Sequence, residues 1–238
     1  MAKAGLGVAV LVALGVAVAM AIAARAAHSG GDVARLPLAA ASILAWGGGV
    51  LVAFTASSQA LVRDEREGIR ALVASRGATG VAYAFGRATG LAAVLAALTC
   101  GGVLLSGGVL AATVRSDVAV IARGTLAAAV GAVAFSVTMA PLSLAALGAR
   151  SRAGGYLVLV GVVAGPELVA RLFARALPDE WGELLPVPAV VSAVADAIAP
   201  GTFDPMRGLR AAFVLALIAA ASMAAVRRQL ARARELAA

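Results

Sequence analysis

Two small sets of ionisable residues carry most of the chemistry this chain has to offer. The first lies in Leu61–Gly80, LVRDEREGIRALVASRGATG, which gathers Arg63, Asp64, Glu65, Arg66, Glu67, Arg70 and Arg76. Interleaved acids and arginines of this kind serve ion pairing and the presentation of a charged helix to a partner. The second set is Pro166, Glu167, Arg171 and Asp196. Glu167 and Arg171 stand at i, i+4, the spacing at which helical side chains meet. Together with Asp196 they can line the mouth of a pathway and bind or gate a polar head group. The simpler alternative is that Glu167 and Arg171 neutralise each other and snorkel to water.

Covalent chemistry finds no such foothold. The sequence holds no GxxxxGK[ST] phosphate loop, no HExxH and no nucleophile elbow. Cys100 stands by itself in an apolar run beside Gly101 and Gly102, so neither an intramolecular disulfide nor a structural zinc site can form on it. The lone His28 reads as a loop residue. No catalytic, cofactor-binding or metal-binding residue is expected, and any ATP–Mg hydrolysis would have to come from another chain.

The elements that must position these residues are set by composition. Hydrophobic residues make up 62% of 238 positions, charged residues 13%, and mean hydropathy is +0.98. Soluble domains are about 45–50% apolar and about 25% charged, so the chain reads as an integral membrane protein. Its apolar runs reach the roughly 20 residues needed to cross about 30 Å of hydrocarbon. They lack strand-like alternation, which predicts helices and excludes an outer-membrane barrel.

Six spans are expected, near Gly5–Ala24, Leu38–Ser57, Ala88–Ala112, Gly124–Gly148, Gly154–Phe173 and Leu209–Val226. The first resembles a signal peptide in carrying Lys3 ahead of an apolar run. The run is longer than a signal core, so an uncleaved helix is expected.

Net charge is +8 and the pI about 11.3, which we read as sorting of arginine to the cytoplasmic side and not as nucleic-acid binding. With the N-terminus inside, that side receives twelve cations against four acids, and the other side eight against eight. The cluster Arg227, Arg228, Arg232 and Arg234 favours the same orientation. Both termini and the Leu61–Gly80 segment are therefore expected in the cytoplasm.

Within that segment Leu61, Ile69, Leu72 and Val73 can share one helical face, with Asp64, Glu67 and Arg70 opposite. Asp64 or Glu67 can pair with residues three or four away, such as Arg70. Gly77 and Gly80 are natural terminators. A solvated amphipathic helix at headgroup level is one reading, and a docking helix the other.

Here the chain resembles a known family. The run Glu65-Arg66-Glu67-Gly68-Ile69-Arg70-Ala71-Leu72, followed by Gly86-Arg87 ahead of the third span, is similar to the permease subunits of type-2 ABC exporters. The resemblance implies a six-span subunit whose acidic-Gly-x-x-x-Leu segment is a cytosolic coupling helix docked on an ATPase. Ser143–Tyr156, SLAALGARSRAGGY, resembles the family's second cytoplasmic loop. It further implies cytosolic ABC ATPase partners, a second permease copy or paralogue, and a place in the inner membrane of a bacterium or archaeon among lipid. Such subunits commonly open with an amphipathic elbow helix, whereas only Met1–Ala4 precede Gly5 here.

Beyond Gly165-Pro166-Glu167, where proline should kink or break the fifth run, Trp181 suits headgroup depth. Val187–Ala199 is apolar but too short to span and is closed by Pro200-Gly201, as a re-entrant or interfacial helix would be. The resembled exporters carry short re-entrant helices at this place. Gly101, Gly102, Gly107, Gly108 and Gly47–Gly49 permit close helix packing, within one subunit or between two. A stand-alone secondary transporter or channel, and a membrane scaffold component, remain the rival readings. The transporter would favour paired acids deep in the spans and broken helices in both halves.

Overall fold

The computed structural model describes residues 15–19, 22–23, 30–77, 79–114, 118–148, 152–172 and 186–235, apart from some side chains. Among these residues every regular element is helical. The elements are α1 (Gly30–Ile43), a π-helical stretch (Leu44–Gly49), α2 (Val50–Ser57), α3 (Ala60–Arg66), α4 (Ile69–Ser75), α5 (Gly80–Thr113), α6 (Val118–Leu147), α7 (Arg152–Leu172), α8 (Val187–Asp196) and α9 (Pro205–Glu235).

Four of the described runs are long and apolar enough to cross a membrane: Arg35–Arg66, Gly80–Thr113, Val118–Leu147 and Pro205–Ala231. They correspond to the expected second, third, fourth and sixth spans. The expected first span lies largely outside the described residues, of which 15–19 and 22–23 are helical. The fifth is helical over Arg152–Leu172, but its apolar part is only Ala153–Val163. Pro166 sits inside this helix, which continues past it. A single lost hydrogen bond is tolerable in a membrane helix whose freed groups find other partners, so of the expected kink or break the helix shows no break at Pro166.

Helices outrun the apolar segments that announced them. α5 begins at Gly80, where the Thr79 hydroxyl accepts from the Ala82 amide at 3.2 Å, a side-chain N-cap. α9 starts where Asp204 Oδ1 accepts from the Arg207 amide at 3.0 Å, and runs on through exposed Arg227 and Arg228. At 1.5 Å per residue α5 is about 50 Å long, more than a bilayer core requires.

α6 is the hub, packing against α1, α2, α5, α7, α8 and α9. From Thr138 to Gly148 every residue is buried, the mark of a helix enclosed on all sides. Small residues permit the approach: a Cβ on Gly131 would lie 3.0 Å from Ala195 Cβ, and one on Gly49 2.8 Å from the Phe135 ring. Gly107 likewise abuts Thr125. These glycines therefore serve packing within the chain, whereas Gly47, Gly101 and Gly108 have no such neighbour. Buried hydroxyls are met by their own helices, as where Thr99 donates to Leu95 O at 2.8 Å and Ser136 to Ala132 O at 2.7 Å.

Candidate functional site

The charged segment is two short helices at an angle, not one. α3 ends at Arg66, and Gly68 takes φ +70 before α4 begins. A left-handed residue terminates a helix and is reached without strain by glycine. The break divides the expected apolar face. Leu61 is buried on α3, Ile69 and Val73 are half-buried on α4, and Leu72 is 56% exposed. Gly77, at φ +76, does follow the end of α4 as expected, but Gly80 opens α5 and terminates nothing.

α3 is held to the bundle through main-chain and side-chain bonds. The last carbonyls of a helix have no partner within it. Here the Gln59 amide donates to Leu147 O at 3.0 Å and the Leu61 amide to Gly148 O at 3.2 Å. Gln229 Nε2 of α9 donates to Ala145 O at 2.8 Å. Beside them the buried Ser57 and Ser143 hydroxyls share a hydrogen bond of 2.8 Å. Ala60, Leu61, Ala84, Ala88, Leu144 and Val226 close an apolar cluster around the junction.

Asp64 does not join the exposed charges. It is the one fully buried charged residue among those described, at 1% exposure. Arg87 grips it with a fork: Nε donates to Oδ2 at 2.6 Å and Nη2 to Oδ1, while the Tyr83 hydroxyl donates to Oδ2. Bidentate arginine–carboxylate pairs are strong and geometrically specific. The partner is thus Arg87 on α5 and not Arg70, and the Arg87 side chain remains 44% exposed while it holds the carboxylate. Tyr83 and Arg87 stand at i, i+4 on one face, a spacing that could have flagged them as a pair converging on one acid.

The remaining predicted docking residues face outward. Arg63, Glu65, Arg66, Glu67, Gly68, Leu72 and Arg76 are all exposed. The side chains of Arg70, Glu167 and Arg171 lie outside the described residues, as does Trp181; Glu167 and Arg171 occupy i, i+4 positions of α7 and Pro166 is half-buried there. The predicted re-entrant segment is α8, with Pro188 in its first turn, followed by turns to Gly201.

Asp196, at the C-terminal end of α8, is half-buried beside a cavity of about 320 Å³. Burial pushes its carboxyl above the ordinary value, although Arg207 and Arg35 draw it down. Trp46, which sequence reasoning passed over, stands in the π-helical stretch on the opposite wall. Its neighbours Gly47–Gly49 were the available signal. Among the described residues no three His, Cys, Asp or Glu side chains converge as metal ligands would.

No protein-family model, curated protein or solved structure matches the chain.

Proposed function

We propose that this protein is the membrane-spanning permease subunit of an ATP-driven ABC exporter, working as a dimer with a second copy or a paralogue. Cytosolic ATPase subunits bind and hydrolyse ATP–Mg, and this chain supplies no covalent chemistry. In this reading the α3–α4 corner is the coupling element, both termini are cytoplasmic, and α7 and α8 complete six spans and a re-entrant outer helix in a bacterial or archaeal inner membrane.

The observation that carries the reading is a charged, exposed tip on a fixed base. Glu65, Arg66, Glu67, Leu72 and Arg76 are exposed, while α3 behind them is clamped to α5 and α6. A tip that transmits force must not yield at its root, and Asp64 belongs to that root. Movement of the ATPase subunits would therefore reach α5 and α6 as displacement of packed helices.

The test is co-purification and transport. Glu67→Arg, which inverts an exposed charge, and Leu72→Pro, which breaks α4, should each abolish ATPase capture while leaving membrane insertion intact. Unaltered capture in both variants would sink the docking role.

A second reading, a secondary transporter acting by itself, draws support from the Asp196 cavity beside an irregular helix. Transport that persists without any ATPase would select it.

A further inference from the structure

The π-helical stretch and α8 face each other across the cavity, with α6 as its floor. A second depression, between α6 and α9, is larger at about 460 Å³ but is walled almost wholly by Ala, Val and Leu. Lipid chains satisfy such a surface. The cavity at α8 differs in two respects.

The first is its chemistry. Among the described residues Asp196 is the one ionisable side chain lining it and Trp46 the one aromatic, with the hydroxyls of Ser42 and Ser192 between apolar walls. Burial outweighs the help that Arg207 and Arg35 give to the Asp196 carboxylate, and neither arginine lines the cavity. Asp196 thus presents a carboxyl to a mostly apolar cavity that neither of these arginines lines. An anion entering the cavity would face that carboxylate, whereas a cation would complete its compensation.

The second is preorganisation. Trp46 packs edge-on against Phe135, with ring centroids 5.2 Å apart at 78°, and Gly49 lets that phenylalanine approach. The indole is therefore held in place before any ligand arrives. Short π-helical turns recur at functional sites because they widen a helix and redirect its side chains. An indole beside a carboxylate is a favourable setting for an organic cation.

We propose that this cavity binds an amphiphilic monovalent cation, an alkyl- or arylammonium, with its charged head on Asp196 and beside Trp46 and its hydrocarbon body against Leu38, Ala41 and Val191. The proposal goes beyond ATPase coupling and does not depend on it, because binding is read on this chain alone.

The experiment uses the full chain in lipid nanodiscs with Trp181→Phe, so that Trp46 is the sole indole. Three compounds with one hydrocarbon body are titrated: 4-phenylbutylamine, 4-phenylbutanol and 4-phenylbutanoate. The amine should quench or shift Trp46 emission saturably. The alcohol should bind about tenfold more weakly, the worth of one charge-assisted contact, and the acid should give no saturable signal. Asp196→Asn should bring the amine down to the alcohol's affinity and leave the alcohol unchanged. Ala189→Phe, which fills the cavity without touching charge, should remove saturable binding of both at unchanged helix content. Equal binding of all three compounds to the parent chain overturns the proposal, whether or not the variants fold. So does preference for the acid, or an amine affinity indifferent to Asp196→Asn.

Discussion

Two carboxylates, Asp64 and Asp196, are carried by helices that meet α6 at different stretches, separated by roughly 24 Å of helix rise between Gly131 and Leu147. Asp64 is buried and fully engaged, with an arginine fork and a tyrosine hydroxyl on its two oxygens. Asp196 is half-buried, and nearby arginines offset its desolvation only in part. The contrast separates two uses of charge in an apolar protein. A carboxylate met on every side by fixed partners holds helices in register. One left short of compensation keeps an attraction to offer to something that comes and goes.

The comparison breaks most visibly at Arg87. Arg87→Ala strands a buried carboxylate and should cost about 3 kcal/mol, the penalty of leaving a buried charged acceptor short of its partner. Denaturant unfolding in detergent measures this. Adding Asp64→Asn to Arg87→Ala should restore part of the loss, because the stranded charge is then gone. At the other stretch Gly131→Leu forces a side chain where even a Cβ would lie 3.0 Å from Ala195. It should cost about 2 kcal/mol by overpacking and abolish amine binding by displacing α8. Tyr83→Phe removes one hydrogen bond to a charged acceptor, and about 1.5 kcal/mol should follow. Its unfolding midpoint should fall between those of the parent and Arg87→Ala.

The smallest effect is also the sharpest. The Asp196 carboxyl titrates higher in the folded chain than its ordinary value. The unfolded chain therefore releases this proton first, and stability drops as pH rises from the ordinary carboxylate range to the raised one. Asp196→Asn lacks that drop. It should match the parent near pH 3 and be at least as stable at pH 7, where Asp64→Asn is clearly destabilised. If unfolding curves at pH 7 place the two asparagine variants together, the distinction between the carboxylates is lost.

How much of this was legible depended on range. Apolar length announced the runs containing α5, α6 and α9, and the short apolar stretch closed by Pro200-Gly201 announced α8. Their ends were not legible, because Thr79 and Asp204 cap helices beyond the apolar segments. Exposure of Glu65, Glu67 and Arg76 agrees with a charged presenting surface. The inward turn of Asp64 was hidden, since its partners Tyr83 and Arg87 lie on another helix, beyond the reach of local i, i+3 and i, i+4 reasoning. Gly68 was read as part of one helix, although its left-handed conformation divides two. The Trp46–Asp196 pairing across a cavity needed α1 and α8 to meet on α6, which periodicity within either segment does not encode.

The bonds from α3 to the last carbonyls of α6 bear on the order in which the molecule is made. Asp64 can find Tyr83 and Arg87 as soon as the start of α5 emerges, but Ser57 must wait for Ser143, 86 residues later. The Gln59 and Leu61 amides wait for Leu147 and Gly148. A nascent chain halted before α6 thus has a charged corner anchored to α5 alone. A partner that reads this corner would recognise only chains whose central helix is already in place, so assembly would proofread its own subunit.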